Sequence, residues 1–327
     1  MGICLMRKAL GAMLTAALVG LVASAAAQTY PSRAITLIEP FAAGGPSDAV
    51  ARVVGQAMSQ SLGQSVVVEN ITGAAGTIAA ARLARAVPDG YTIGMATWST
   101  HVVSPVVYQP SYNVFKDFAP VALLTETPLV LVASKKIPAD DLRSLIAWLK
   151  ANPNTAFQGV AGGTDRVIGF LFQKRTGTKF QTVPYRGLAL AMQDLVGGRI
   201  HLLFDQPSDA LPQIRADTIK AYAVTARRRL TIAPDIPTVD EAGLSGLYLT
   251  PWQSIWAPHG TPAAAISKLN AAAVAALANP DVRKRLADLG QEVVPPARQT
   301  PSALGYYYTA EVDKWWPVIK VAGLKAE

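Results

Sequence analysis

Short runs of β-type residues alternate with helical patterns along the sequence, and this alternation limits the possible folds more than any other feature. An apolar strand is predicted at residues 35–39. A helix is predicted over residues 49–62, with Val50, Val53 and Val54 on one face and Gly63 ending it. Similar pairs follow along the chain, and the tail from about residue 262 is helical. The pattern indicates an α/β fold with parallel sheets built from strand–helix–strand units.

The chain is too long for one comfortable hydrophobic core, so two α/β domains are expected from its 327 residues. Two apolar stretches, 121–132 and 252–257, are far apart in sequence and both resemble buried connectors. If they pair, the chain crosses twice between two lobes, which is the geometry of a hinge. The first lobe is then discontinuous, with residues 28–126 and 250–327, and the second lobe spans residues 127–249.

The first 27 residues have the pattern of a cleaved signal peptide. Arg7 and Lys8 precede an apolar run over residues 9–22, and small residues at 25–27 place the cut before Gln28. The run is shorter than the roughly 18 apolar residues that span a membrane. Cys4 is the one cysteine and lies inside this segment, so we expect a mature chain without disulfides or a lipid anchor, free in the periplasm.

The net charge of +8 comes from 30 basic and 22 acidic residues, and the basic residues are scattered along the chain. Loss of Arg7 and Lys8 would remove two of these charges and leave +6 on the mature chain. A mild positive field favours anionic solutes, and export makes nucleic acid an unexpected partner.

A loop at residues 42–48 joins the first strand to the next helix and contains two glycines. Backbone N–H groups can approach a ligand closely there, and a helix N-terminus carries partial positive charge. Such a nest holds a carboxylate or phosphate without a charged side chain. The alternative is an ordinary turn in which Ser47 or Asp48 caps the helix. Neither a Walker loop nor a dinucleotide fingerprint is present.

Two further loops contain small or hydroxyl residues. Residues 97–101 offer three hydroxyl groups, and residues 162–165 repeat the composition of the first loop from the second lobe. Two helix N-termini facing each other across a cleft would form a clamp for an anion. Helix capping remains the alternative for both loops.

Groups that could carry catalysis are sparse in this sequence. His101, His201 and His259 are far apart and lack metal-ligand spacing, and no nucleophile elbow is present. A Ser47–His101–Asp arrangement stays open. Trp98, like Trp252 and Trp256, would either line a pocket or pack in a core. No metal or cofactor is expected.

Ordered segments of the sequence resemble the tripartite tricarboxylate transporter receptor family, the Bug-type periplasmic binding proteins. The segments cover nearly the whole mature chain in family order, and they are 30–35, 40–48, 66–70, 73–76, 88–92, 116–121, 183–187, 223–225, 234–239, 241–243 and 257–262.

The resemblance implies a two-lobed type II (Venus-flytrap) fold with two crossover strands as the hinge. It implies a monomeric receptor, not an enzyme, that captures a small organic acid or related compound for a membrane permease or for a sensor kinase. A periplasmic enzyme acting on a small acid and a cytoplasmic regulator are the competing classes. A regulator needs an N-terminal helix-turn-helix, and this chain has the signal there instead.

The resemblance also implies which residues bind the ligand. The expected ligand-binding residues come from the loop that matches the family's carboxylate cradle, from two further segments and from one strand end. They are Phe41, Ala43, Gly44, Gly45, Pro46, Ser47, Asp48, Thr97, Trp98, Ser99, Thr100, Gly163, Thr164, Asp165, Arg166 and Asp205.

The sequence departs from the family pattern in the second lobe. A histidine that is common three residues after Thr164 is replaced by Val167. Asp165 could meet an amino or ring N–H group and Arg166 a second carboxylate, or both could be surface residues. The ligand is therefore left open among dicarboxylates, tricarboxylates, aromatic acids, amino acids and nicotinate-like compounds.

Overall fold

A computed structural model describes residues 30–324 and residue 326. The expected signal peptide and its cleavage point before Gln28 lie outside the described residues. Within the described part of the chain, no helix is long and apolar enough to cross a membrane.

Eleven strands and ten α-helices are formed by the described residues. The strands in chain order are β1 Ile35–Glu39, β2 Val66–Asn70, β3 Thr92–Thr97, β4 Phe118–Glu126, β5 Val130–Ser134, β6 Phe157–Val160, β7 Gln181–Pro184, β8 Leu202–Asp205, β9 Ile219–Val224, β10 Trp252–Pro258 and β11 Glu292–Val293. The helices are α1 Pro46–Leu62, α2 Thr77–Ala84, α3 Ser104–Tyr108, α4 Leu142–Ala151, α5 Gly163–Thr176, α6 Leu188–Val196, α7 Pro207–Arg215, α8 Ala263–Ala278, α9 Pro280–Asp288 and α10 Pro301–Ala322.

The strands form two separate sheets. The six-stranded sheet has the order β11-β4-β10-β3-β1-β2, and the five-stranded sheet has the order β7-β6-β8-β5-β9. Strand β1 is parallel to β2 and β3, and β6 is parallel to β7 and β8. The late strand β10 inserts antiparallel between β3 and β4. The predicted α/β fold is confirmed, but the sheets are mixed rather than parallel, because β10 in one sheet and β5 in the other run antiparallel to both neighbours.

The chain passes between the sheets at two neighbouring places, one after β4 and one before β10. The pairing of the two apolar connectors is confirmed, since β4 and β10 are antiparallel neighbours with Trp252 opposite Glu126. The Thr127 amide donates to the carbonyl of Pro251 over 2.8 Å. The Thr225 hydroxyl donates to the carbonyl of Leu249 over 2.7 Å, which ties the end of β9 to the return segment. The two crossings therefore run side by side.

Three buried clusters hold the fold together. One lies against the six-stranded sheet and another against the five-stranded sheet. The largest contains residues from both sheets, including Leu123 of β4 and Leu131 of β5. Burial of apolar surface contributes about 25 cal/mol per Å², so this shared cluster stabilises the arrangement of the two sheets.

Several boundaries differ from the sequence predictions. Helix α1 begins at Pro46, three residues early, because Gly45 is extended as its N-cap and proline suits the first helical turn. The stretch 121–132 is two strands rather than one, since the chain leaves one sheet after Glu126 and enters the other at Val130. Helix α7 was not predicted, and it contains Pro212 in its interior. Proline usually ends a helix, so the pattern concealed this one.

Candidate ligand-binding site

A cavity of about 490 Å³ lies between the two sheets. This volume is in the range of small-molecule sites in proteins. Its walls come from the loops after β1 and β3 on one side and from the loops after β6, β7 and β8 on the other. The expected binding residues that line it are Phe41, Ala43, Gly44, Gly45, Pro46, Ser47, Thr97, Ser99, Thr164, Asp165 and Asp205.

The loop after β1 is held in shape by Asp48 rather than by a ligand. The Asp48 carboxylate accepts hydrogen bonds from the Gly44 amide at 2.9 Å and from Asn70 at 2.9 Å. It also pairs with Arg52 at 2.8 Å. Burial pushes the pKa of Asp48 up, but these hydrogen bonds, led by that from Arg52, outweigh it and leave the pKa below its usual value. Asp48 is absent from the cavity wall, because its carboxylate is occupied by the loop itself.

Glu39, the last residue of β1, lies beneath the same loop and was missed by the sequence reasoning. Its carboxyl group is fully buried and accepts from the Phe41 amide at 3.2 Å and from the Ser47 hydroxyl at 3.1 Å. Burial raises the pKa of Glu39 to about 8, against the hydrogen bonds from Ser47 and Phe41. At neutral pH the group is therefore mostly protonated, so the loop has no negative charge from Glu39 below it. The signal available in the sequence was a glutamate ending an otherwise apolar strand.

The segment after β3 is helical and not the open loop expected. A π-helical turn, Ser99–Val103, follows Trp98 and continues into α3. Thr97 and Ser99 line the cavity, whereas Trp98 is buried and its indole N–H donates to Glu311 over 3.0 Å. Thr100 is also buried, and its hydroxyl accepts from the Thr97 amide at 3.0 Å. Trp98 and Thr100 therefore do not line this cavity, since the helical turn directs successive side chains to different sides, and ligand contact by them stays a prediction.

On the opposite wall, the loop before α5 is capped by Asp165. Its carboxylate accepts from the amides of Ala161 at 2.9 Å and Gly162 at 3.0 Å. Burial raises the pKa of Asp165 to about 6 despite these two bonds. Asp165 lines the cavity, but these hydrogen-bonding positions of its carboxylate are taken up by its own loop.

Gly163 and Arg166 face a neighbouring cavity of about 380 Å³ instead. Gly163 packs against Val103, and a Cβ atom at this glycine would lie 2.4 Å from a Val103 methyl carbon. Neither residue lines the main cavity, and the expectation that they bind the ligand stays a prediction.

Two cavity-lining residues, one at the end of β8 and one near the start of β10, each have a buried polar atom without a partner. Asp205 is fully buried; its Oδ1 accepts from the Gln206 amide at 2.7 Å, and its Oδ2 has no hydrogen-bond partner. Burial raises the pKa of Asp205 well above its usual value, and the charges of Asp209 and Asp165 raise it further. Gln253 of β10 is also buried, and its Oε1 has no partner.

Several residues of the cavity wall were not in the expected set. They belong to the turn after β7, to the start of α7 and to the two crossings, and they include Arg186, Gln206, Asp209, Thr127, Trp252 and Gln253. The crossings could have been identified as wall residues, because a ligand held between two lobes lies against their connectors. Arg186 lies in the family-like segment 183–187, but the resemblance gives this residue no role in ligand binding.

The arrangement around Ser47 and His101 differs from that of a catalytic pair. The Ser47 hydroxyl donates to Glu39, and His101 lies in an aromatic cluster with Phe118, Trp256 and Tyr308. Burial lowers the pKa of His101 to about 3. Within residues 30–324, no group of three or more His, Cys, Asp or Glu side chains is placed to hold a metal ion. The cavity is lined for binding a polar solute through backbone amides, hydroxyl groups and carboxyl groups.

Two α/β sheets joined by paired crossings, with a polar cavity between them, define the class of two-lobed periplasmic solute-binding proteins. The structure of the periplasmic binding protein BugD shares this fold, with a TM-score of 0.82, 35% sequence identity and coverage of 91% of this chain and 100% of that one. MatC from Rhodopseudomonas palustris, solved with bound malate, has a TM-score of 0.81 and 38% identity over 89% of this chain and 100% of that one.

Sequence comparison gives the family. The model of the tripartite tricarboxylate transporter family receptor matches residues 50–324. A UPF0065 protein from the TAR-I ttuE-ttuC' intergenic region of Agrobacterium vitis is 43% identical over 318 residues, which are 95% of this chain and 90% of that protein. The chain therefore belongs to the tripartite tricarboxylate transporter receptor family, and the resemblance noted in the sequence is confirmed. It is a solute-binding receptor of that family.

Proposed function

We propose that the protein captures a small carboxylate-bearing solute in the cavity between its lobes and hands it to the permease of a tripartite carrier. The observation that carries this proposal is the loop over Phe41–Ser47, which lines the cavity together with the start of α1. The N-terminus of a helix carries partial positive charge and favours an anion. The malate in the related MatC structure is an acid of this kind.

The lobes in this proposal are residues 28–126 with 250–327 and residues 127–249. The paired crossings form the hinge, and closing about it brings the loop after β6 toward the loop after β1. Phe41, Ala43, Gly44, Gly45, Pro46, Ser47, Thr97 and Ser99 contact the solute from the first lobe, and Thr164, Asp165 and Asp205 from the second. The receptor works as a monomer in the periplasm after its signal peptide is removed, and it performs no chemistry on the solute.

Thermal-shift screening against di- and tricarboxylates, aromatic acids, amino acids and nicotinate tests the proposal. A ligand at a hundredfold excess over its Kd stabilises the folded protein by about 2.7 kcal/mol. Ser99→Ala removes a cavity hydroxyl and is expected to weaken the best ligand about fivefold, the effect of about 1 kcal/mol for one hydrogen bond.

Ser61→Ala is the matched control, because Ser61 is an exposed serine near the C-terminal end of α1 and does not line the cavity. It should leave the affinity unchanged. No stabilisation by any acid of the panel would contradict carboxylate capture, and an equal loss in both serine variants would place the binding site elsewhere.

A further inference from the structure

We propose that the solute carries an amino group as well as its carboxylate, and that Asp205, Gln253 and Asp209 bind this amino group. The inference rests on the proposed capture of a carboxylate, and it narrows the ligand to amino acids and related amino-carboxylates. The subsite lies on the wall formed by the end of β8, the start of α7 and β10.

Two buried acceptor atoms without partners are the first observation. Five buried side-chain atoms lack a hydrogen-bond partner in the described part of the chain, and the two that belong to cavity-lining residues are Asp205 Oδ2 and Gln253 Oε1. A buried acceptor without a donor costs about 1–3 kcal/mol. A ligand that brings N–H donors to both atoms recovers this free energy on binding.

The amide of Gln253 is oriented by its other contact. Its Nε2 donates to Gln291 Oε1 over 3.3 Å, and that oxygen also accepts from the hydroxyls of Thr125 and Thr127. The Gln253 oxygen is thereby the atom left without a partner. An amide oxygen is not protonated at neutral pH, so protonation cannot satisfy it and the donor has to come from the ligand.

The charges around Asp205 are the second observation. Asp209, in the first turn of α7, is partly buried and accepts a hydrogen bond from the Ser208 hydroxyl at 3.2 Å. The charges that act on Asp205 are those of Asp209 and Asp165, both carboxylates. Arg186 also lines the cavity, on the turn after β7. An ammonium group of the solute would favour the ionised form of Asp205 and Asp209, whereas a second carboxylate would oppose it.

An ammonium group fits both observations better than a hydroxyl does. It offers three N–H donors and a positive charge, while a hydroxyl offers one donor and no charge. One ammonium therefore has enough N–H donors for two acceptors and a neighbouring carboxylate.

Isothermal titration calorimetry at pH 7.5 with matched acids tests the inference. The pairs are aspartate with succinate, glutamate with glutarate, and γ-aminobutyrate with butyrate, with malate as the hydroxyl counterpart of aspartate. In at least one pair the amino member should bind tenfold or more tightly than its partner. Asp205→Asn should remove this preference, weakening the amino member at least tenfold and its partner less than threefold.

Asp140→Asn is the control, because Asp140 is an almost fully exposed carboxylate with 97% of its side chain accessible. It should leave every affinity unchanged. If Asp205→Asn does not fold, Asp209→Asn supplies the same comparison, since that residue is only partly buried.

The inference is overturned if plain acids or malate bind as tightly as their amino counterparts. It is also overturned if Asp205→Asn lowers the affinity for both members of a pair equally. Carboxylate capture stands in either case. Binding of no acid in any pair would also overturn the inference, whereas only a flat response across the whole thermal-shift panel would overturn the capture itself.

Discussion

The buried carboxyl group of Glu39 makes the stability of this protein depend on pH in a definable direction. Its pKa is about 8 in the folded protein and near the ordinary 4.5 when unfolded. The folded state therefore binds more protons between these values, and the stability contributed by protonated Glu39 is lost as the pH rises from 4.5 to 8. For Glu39→Gln, the site no longer titrates and this loss is absent.

The size of the effect follows from the shift. One pKa unit corresponds to about 1.4 kcal/mol, so Glu39 lowers the free energy of unfolding by about 3 kcal/mol between pH 5 and pH 8. The glutamine side chain offers one oxygen to the Phe41 amide or the Ser47 hydroxyl, much as the protonated acid does. The variant should therefore be within about 1 kcal/mol of the wild type at pH 5 and about 3 kcal/mol more stable at pH 8.

Urea unfolding at pH 5, 6, 7 and 8, followed by circular dichroism, measures this difference. Other groups titrate in both proteins alike and cancel, so the slope of the difference reports Glu39 alone. Asp48→Asn is the control from the same loop: its pKa lies below the usual value, so its loss should cost stability by a constant amount over this range. A pH-independent difference for Glu39→Gln would refute the assignment of Glu39 as a protonated buried acid.

Two further variants test the contacts around the cavity. Gly163→Ala puts a Cβ 2.4 Å from Val103 and should displace the start of α5, weakening ligand binding at least tenfold by calorimetry. In the control Gly305→Ala the new Cβ meets only Pro120, at 3.6 Å, and the variant should keep full affinity. Unchanged affinity in Gly163→Ala would show that close packing of Gly163 on Val103 is not needed for binding. Glu311 accepts from the indoles of Trp98 at 3.0 Å and Trp252 at 3.3 Å. Glu311→Leu leaves both indoles unpaired and should lower the free energy of unfolding in urea by about 3 kcal/mol. Glu311→Gln keeps an acceptor and should stay within about 1 kcal/mol of the wild type. Equal losses of stability in the two variants would argue against the double hydrogen bond.

Much of the fold could be predicted because strands and helices differ in the period of their apolar residues. The pairing of residues 121–126 with 252–257 was predictable for a similar reason, since both stretches are largely apolar and favour burial on both faces. The break between β4 and β5 was missed, although Pro128, which cannot donate to a strand ladder, was a signal for it. The hydrogen bond from Thr127 to Pro251 marks where the chain leaves the first sheet.

The site was predictable at the level of loops and less so at the level of side chains. A glycine-rich segment between a strand and a helix marks where backbone amides converge, and the loop around Gly44 and Gly45 does line the cavity. The direction of a side chain within a loop depends on local turns that the sequence does not specify. Asp48 and Asp165 both looked available to a ligand, yet each makes hydrogen bonds to the amides of its own loop.

The position of β10 in the six-stranded sheet also has a consequence for the order of folding. Strand β10 separates β3 from β4, so this sheet cannot close until the chain has been made as far as Pro258. The strands of the five-stranded sheet are continuous in sequence, from Val130 to Val224. Contacts over short sequence distances form faster than distant ones. During synthesis, the sheet whose strands emerge first is therefore completed last, with the edges of β3 and β4 unpaired in the meantime.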